Sequence, residues 1–400
     1  MRLYCTEELH ATGGNGTFLL GRAEEQLKAL TRDYANSVQL IYLDPPFHTG
    51  DSFKLKIGRG KQAKTVLLYD DNLTVSEYVA WMRRILTACR VLLNASGSIY
   101  LHVDYRMSGK MRSLLDEIFG ESNFMNEIIW SYKSGGRSTR YYPRKHDTIL
   151  FYRKSRAVYF DIRAVGVPRG TERRNHMKRF VDADGRVGFS IRSNGKLYTY
   201  YEDALVFPSD VWTDIEHLQQ RDSERNGYAT QKPEALLRRI LLASSKEGDL
   251  VMDLFSGSGT TATVAAKCNR RFLTVDASPV AMYMLRKRLL SVSSERDLFD
   301  QSEQSFSLVY PPDKTPCRVD CEVVLRKGVC TLKLQNAVFD ETPMPLVYCA
   351  VGTVQKKCFC AVATNCAPKL PLTLPLPASK TPVLQVVNAL GQQAFFTIDA

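Results

Sequence analysis

Val38-Gln39-Leu40-Ile41-Tyr42-Leu43-Asp44-Pro45-Pro46-Phe47 is the stretch on which the fold turns. Its first six residues have the length and apolar character of a buried strand. The four that follow would therefore lie at a strand's carboxyl end, where open α/β sheets hold their ligands. A Pro-Pro turn after a strand is common on its own account. What moves the reading toward chemistry is a second stretch of the same kind about two hundred residues later. There Leu250-Val251-Met252-Asp253-Leu254 runs into Phe255-Ser256-Gly257-Ser258-Gly259 and then into the helix-like Thr260-Thr261-Ala262-Thr263-Val264-Ala265-Ala266-Lys267. Strand, glycine-rich turn and helix together let backbone approach a ligand closely.

The first box suits a weak nucleophile. The exocyclic amine of adenine or cytosine shares its lone pair with the ring and reacts poorly. Two acceptors, the Asp44 carboxylate and the Pro45 carbonyl, would take both amine hydrogens and draw the nitrogen toward a pyramidal form as a methyl group approaches in line. Pro45 and Pro46 fix φ and remove competing backbone donors, and Phe47 offers a face on which a flipped-out base can stack. The second box suits a zwitterionic cofactor. The next strand, Arg271-Phe272-Leu273-Thr274-Val275-Asp276, ends in an acid about twenty residues on, placed to accept from ribose hydroxyls. No lysine follows the glycines as a triphosphate site requires. Asp253 would face an ammonium, which suits a carboxylate better than a pyrophosphate does. S-adenosylmethionine satisfies both acids.

At this point the chain resembles the β-class DNA amino-methyltransferases, the group that includes the Mod subunits of type III restriction-modification systems. The order is theirs: catalytic box, recognition region, cofactor box. Gly97-Ser98-Ile99-Tyr100-Leu101-His102-Val103-Asp104 and His146-Asp147-Thr148-Ile149-Leu150-Phe151-Tyr152 resemble further core strands. Thr230-Gln231-Lys232-Pro233-Glu234 resembles the motif that opens a helix against the cofactor, with Pro233 near the helix start. The chain departs from the pattern at Leu254, where proline is usual, and at Gly21-Arg22, where relatives often carry Gly-Asp.

The resemblance implies a Rossmann-like α/β sheet of the S-adenosylmethionine-dependent methyltransferases, with an inserted target-recognition region and a small C-terminal β domain. We place the catalytic half at 1–155, the recognition region at 156–225, the cofactor half at 226–292 and the β-rich segment at 305–400. The catalytic residues are Asp44, Pro45, Pro46 and Phe47. The cofactor residues are Lys232, Pro233, Asp253, Phe255, Gly257, Gly259, Thr260 and Asp276. The implied activity is site-specific methylation of adenine N6 in double-stranded DNA, because an initial Asp in the box goes mainly with adenine. Two alternatives stay open: cytosine-N4 methylation, and a non-catalytic DNA-binding specificity subunit on the same fold. A restriction subunit or a second copy are the candidate protein partners, and a bacterial, archaeal or phage origin is implied.

Charge points to the same partner. The 400 residues carry a formal net charge of +12, and the segment 131–196 holds 17 Lys+Arg against 5 Asp+Glu, while the rest of the chain balances. Solvated faces usually mix both signs. A one-signed stretch interleaved with Tyr141, Tyr142, Tyr152 and Tyr159 fits a nucleic-acid surface. We assign Lys133, Arg137, Arg140, Arg144, Lys145, Arg173 and Arg174 to DNA contact. Asp184-Gly185 and Asn194-Gly195 read as turns, the latter as a hairpin turn into Lys196–Tyr201.

Other features narrow the reading. The hydrophobic content of 44 % is that of a globular chain. With neither a signal peptide nor a long apolar run in view, the expectation is a cytoplasmic protein without membrane association. His102 and Asp104 are expected to be structural, since a polarised amine needs no further base there. Ser291 to Phe306 reads as a linker. Beyond it lie 7 of the 10 cysteines and 10 of the 17 prolines, with alternation that predicts short antiparallel strands. No CxxC pair or histidine accompanies those cysteines, so no metal is expected and reduced thiols are. Cys317 lacks the context of a 5-methylcytosine nucleophile. No nuclease cluster or helicase P-loop is evident.

Overall fold

A computed structural model gives the architecture; it describes all residues except 1–4, 10–14, 48–51, 58–63, 71–72, 134–136, 170–175, 229, 295–305, 312–315, 327–328, 340–343, 356–357, 367, 378–380 and 399–400. Among the described residues one mixed sheet of 14 strands dominates. At its centre Val38–Leu43 lies parallel to Leu93–Val103 on one side and to Leu250–Asp253 on the other. All six residues of Val38–Leu43 are buried, as are all four of Leu250–Asp253. Such two-sided burial explains why both read as continuous apolar runs rather than alternating ones.

Helices cover both faces. Val75–Leu92 starts at a capping box, in which Thr74 Oγ1 accepts from Glu77 N–H and Glu77 Oε2 accepts from Thr74 N–H. It buries Tyr78, Met82, Ile85, Leu86 and Cys89, the helical stripe its spacing predicts. Ser108–Phe119 packs beside it and buries Met111, Leu114 and Leu115 in the same core. Each such side chain contributes about 1.5–3 kcal/mol on full burial. The opposite face is covered by Glu234–Ser244 and Thr260–Lys267, whose Leu237, Ile240 and Val264 meet Leu40 and Val251.

The chain's order makes a switch point. From Val38–Leu43 the chain passes through Val75–Leu92 to Leu93–Val103 on one flank. It returns with Leu250–Asp253 on the other flank and continues outward through Thr260–Lys267 to Arg271–Asp276. The two strand-to-helix connections thus diverge, leaving a crevice at the carboxyl ends of the central pair, which is where ligands bind in open α/β sheets.

In the 156–225 segment, Val187–Ser193 and Lys196–Tyr201 form the expected hairpin. Asn194 (φ 49°) and Gly195 (φ 77°) both take the left-handed backbone that a two-residue turn of this hand requires. Lys178–Val181 adds a third strand. The carboxyl-terminal segment is β-rich as its alternation implies, and it is joined to the main sheet. Phe306–Tyr310 lies parallel to Gly16–Leu20, and Cys5–Leu9 bridges from it to Cys358–Cys366. Cys317–Arg326, Val329–Phe339 and Leu372–Pro375 make a smaller sheet over a separate core that includes Leu332, Leu334 and Cys349. No described helix is long and apolar enough to cross a membrane.

Candidate active site

A cavity of about 670 Å³ opens at the switch point, within the range of roughly 300–1,000 Å³ usual for ligand sites. Asp44 and Pro46 line it from the end of Val38–Leu43, Asp253 and Phe255 from the end of Leu250–Asp253, and Asp276 from the end of the next strand. Three parallel strands thus deliver three carboxylates to one crevice. The residues singled out from the sequence meet here even though some two hundred positions separate them.

Asp44 has two unequal oxygens. Oδ2 accepts from the Lys232 ammonium at 2.6 Å, and the pair is nearly enclosed, with side-chain exposures of 16 % and 9 %. Oδ1 is buried and has no hydrogen-bond partner among the described residues. A buried acceptor left open in this way marks a place for a donor that comes from outside. The Lys232 ammonium also lies 5.0 Å from the centroid of the Phe47 ring. Pro45 is buried and Phe47 partly so. The sequence assigned Lys232 to the cofactor; the structure sets its charge on Asp44.

Phe47 is held by a polar network that the sequence reading did not connect. His102, buried completely, stacks under Phe47 with ring centroids 5.8 Å apart and planes 27° from parallel. Its Nδ1 meets Tyr42 Oη at 2.8 Å and its Nε2 meets Asp147 Oδ2 at 3.1 Å. Burial pushes the Tyr42 hydroxyl well above its ordinary value, so it stays protonated and donates to Nδ1. Nε2–H then donates to Asp147, which fixes the tautomer. Burial acts to raise the Asp147 carboxyl, but the hydrogen bonds from His102 and Tyr132 and the nearby Lys232 charge outweigh it and hold the group below its usual value. Tyr132 Oη adds a bond to Asp147 at 3.3 Å. The only local signal was polar residues inside an apolar strand; their partners lie 45 and 60 positions away.

The cofactor end is built differently. Asp253 accepts from Thr261 Oγ1 at 2.6 Å and from Phe255 N–H at 2.9 Å, and no cation pairs with it among the described residues. Burial pushes its carboxyl up to about 7, against those two bonds, with the nearby charges of Asp44 and Asp276 adding to the shift. Asp276 accepts from Gly257 N–H at 2.7 Å and Ser278 N–H at 2.8 Å, and burial still lifts it to about 6. A crevice that raises two acids in this way favours a cationic visitor.

The two glycines have different reasons. Gly257 sits at φ 51° with its nearest foreign atom, on Tyr228, 3.5 Å from where a Cβ would stand, so it faces the cavity. Gly259, at φ 77°, would bring a Cβ to 3.0 Å from Leu285, which makes it a contact between helices rather than a cavity residue. Thr260 lines the cavity and donates to the Lys232 carbonyl at 3.1 Å. Pro233 is the N-cap of Glu234–Ser244 and does not reach the cavity. Glu234 bonds Lys267 and Arg288 and so ties three helices behind the glycine turn. Arg22, where the resemblance suggested no carry-over, lines the outer end of the cavity with Glu24 and Trp81. Trp81 packs on Phe255 at 5.4 Å and donates to Glu24 at 3.3 Å.

Topology brings the basic loop to the same edge. Leu93–Val103 runs parallel to Val38–Leu43, His146–Arg153 antiparallel to Leu93–Val103, and Phe124–Ser131 antiparallel to His146–Arg153. The connection from Tyr132 to Lys145 therefore starts and ends at the carboxyl edge of the sheet, the edge that carries Asp44. Arg144 lies 4.0 Å from the Tyr105 ring and 4.7 Å from the Tyr141 ring, and these three together with Arg137 and Arg140 are exposed. Lys133 is paired with Glu216, and the Lys145 ammonium is bonded to the Lys133 carbonyl. Arg173 and Arg174 lie outside the described residues.

Comparison with known proteins follows the same line. A family described as DNA methylase, spanning N6 and N4 enzymes, matches residues 38–287. The chain is 30 % identical over 276 residues to the type II methyltransferase M.HpaI of Haemophilus parainfluenzae, covering 69 % of this chain and 75 % of that protein. It is 29 % identical to the type II methyltransferase M.EcaI of Enterobacter cloacae, covering 62 % of this chain and 64 % of the relative, just under two thirds of its length. It is also 29 % identical to the DNA adenine methyltransferase YhdJ of Escherichia coli K12, covering 68 % and 82 %.

Proposed function

This chain belongs to the N6/N4 DNA methylase family, and on that premise we propose that it methylates the N6 amine of adenine in double-stranded DNA, with S-adenosylmethionine as donor. The observation that carries the reading is the buried, unpartnered Asp44 Oδ1 beside Phe47, at one end of a cavity whose other end holds Asp253 and Asp276. Adenine is favoured over cytosine by the initial Asp of the box and by the E. coli relative's adenine specificity; the same geometry accommodates a cytosine N4 amine.

When bound, the cofactor supplies an electrophilic methyl group on a sulfonium. Asp253 would hold its ammonium and Asp276 its ribose hydroxyls, both in their ionised forms. Asp44 and the Pro45 carbonyl would accept the two hydrogens of the target amine, turning the lone pair toward the methyl. Phe47, backed by His102, would stack on the base once it leaves the duplex. The nitrogen gains a methyl and loses one hydrogen, for which Asp44 is the nearby acceptor. The exposed cations of the loop before His146 would meet phosphates on either side of the flipped nucleotide.

The test is transfer of labelled methyl from S-adenosylmethionine to DNA, followed by long-read sequencing of DNA from cells that express the gene. N6-methyladenine at one motif is the expected result; N4-methylcytosine would change the base, and unmodified DNA would overturn the proposal.

A further inference from the structure

Lys232 occupies the seat that the target amine needs. Its ammonium is 2.6 Å from Asp44 Oδ2 and 5.0 Å from the centre of the Phe47 ring, so one oxygen of the acceptor and the stacking ring assigned to the base are engaged by one side chain, while Asp44 Oδ1 stays open. A protonated amine and an exocyclic amine are both N–H donors, and a base stacked on Phe47 with its amine on Asp44 would meet the Lys232 ammonium there.

Its surroundings define where it can go. The backbone is pinned, because the Lys232 carbonyl accepts from Thr260 Oγ1 at the start of the helix that follows the glycine turn, and Pro233 caps the next helix. The four-carbon stem carries the rotatable bonds through which the ammonium would move. Among the described residues lining the cavity, the cations are Lys232, Arg22 and Arg84, and Arg22 is paired with Glu24 at 3.6 Å. A cofactor whose ammonium were held by Asp253 would bring its carboxylate into the same cavity, where Lys232 is one of the three cations able to meet it.

We propose that Lys232 is a two-position gate: it covers Asp44 while the cofactor is absent, and turns to the cofactor's carboxylate when it binds, which frees Asp44 and Phe47 for the base. This rests on the proposed methyltransferase function. Lys232 thereby acts as a positioning residue that makes base entry depend on a loaded donor, and a base would not be extruded into a site that cannot react. Because the coupling is reciprocal, an amine held by Asp44 should also tighten the cofactor.

Two measurements test it. Calorimetry compares S-adenosylhomocysteine with its decarboxylated analogue. The wild-type protein should prefer the carboxylate by about tenfold, and Lys232→Met should lose that preference while keeping its affinity for the decarboxylated ligand. Fluorescence of 2-aminopurine placed beside the target adenine then reports base extrusion. In the wild type the signal should require S-adenosylhomocysteine, and in Lys232→Met it should appear without it. Equal extrusion with and without cofactor in the wild type, or no carboxylate preference, overturns the gate. If Lys232→Met does not fold, Lys232→Gln replaces it, and the wild-type comparison stands without any variant. If the wild type methylates no DNA under any condition, the functional reading falls, while the carboxylate preference still decides whether Lys232 meets the cofactor.

Discussion

Asp44 and Asp253 end neighbouring parallel strands, face one cavity and are treated in opposite ways. Asp44 is matched with a lysine ammonium on one oxygen and left open on the other. Asp253 has two neutral donors and no cation among the described residues, and is pushed up to about 7. The contrast teaches that a carboxylate at the end of a strand acquires its role from what packs around it. One neighbourhood provides an oriented acceptor with a displaceable partner; the other stores an unmet need for positive charge that a cationic ligand would relieve.

The largest test of that contrast is Asp44→Ala. We expect methyl transfer to fall on the order of a hundredfold or more, by analogy with the loss of one oriented group at a reacting centre, while calorimetric cofactor affinity stays close to wild type. Turnover at the wild-type rate would break the assignment of the two acids. Next comes Gly257→Val. A β-branched residue at φ 51° carries backbone strain of about 1–3 kcal/mol and intrudes on the cavity, so cofactor affinity should drop about tenfold or more with the fold retained. Asp276→Ala should weaken the cofactor by a comparable or smaller amount through lost hydrogen bonds. Unchanged affinity in both folded variants would remove the cofactor from this end of the cavity.

A pH series sharpens the comparison without mutation. Asp253 and Asp276 stand at about 7 and about 6 against an ordinary 3.8. Both are acids raised by folding, so their contribution to stability is fully present below about pH 4 and is lost as pH rises through about 6 to 7. A cationic cofactor prefers the ionised acids, so its affinity should climb across that same window, by at most about tenfold per pH unit for each acid. Proton release on binding, measured in buffers of different ionisation enthalpy, should be largest below pH 7; a flat profile with no release contradicts the shifted acids.

The smallest effect belongs to the basic edge. Arg144→Ala should flatten the slope of log DNA affinity against log salt by about one unit, while the exposed Lys369 in the carboxyl-terminal segment should leave it unchanged when replaced. The reverse outcome would move the DNA surface to that segment.

Much of the site was legible because its parts are local. Apolar runs of strand length ending in Asp44, Asp253 and Asp276 announce three strand ends, and the glycine turn before Thr260 announces a helix start. The Asn194-Gly195 hairpin was legible for the same reason, since only two positive φ values in succession make that turn. The sequence did not show a second constraint on Gly259: a Cβ there would stand 3.0 Å from Leu285 in another helix. The His102 network was invisible as a network, because a histidine in a strand does not reveal that its two nitrogens will meet Tyr42 and Asp147.

The sequence by itself determined the strands, the turns between them and the three acids that end at the crevice, because backbone preference and side-chain periodicity act over a few residues. Tertiary structure alone decided the switch point, the placing of the ends of the Tyr132–Lys145 connection at the same sheet edge as Asp44, and the pairing of Lys232 with an acid 188 residues away. Those outcomes depend on which strands become neighbours and which side chains are desolvated together, and no short stretch of chain carries that information.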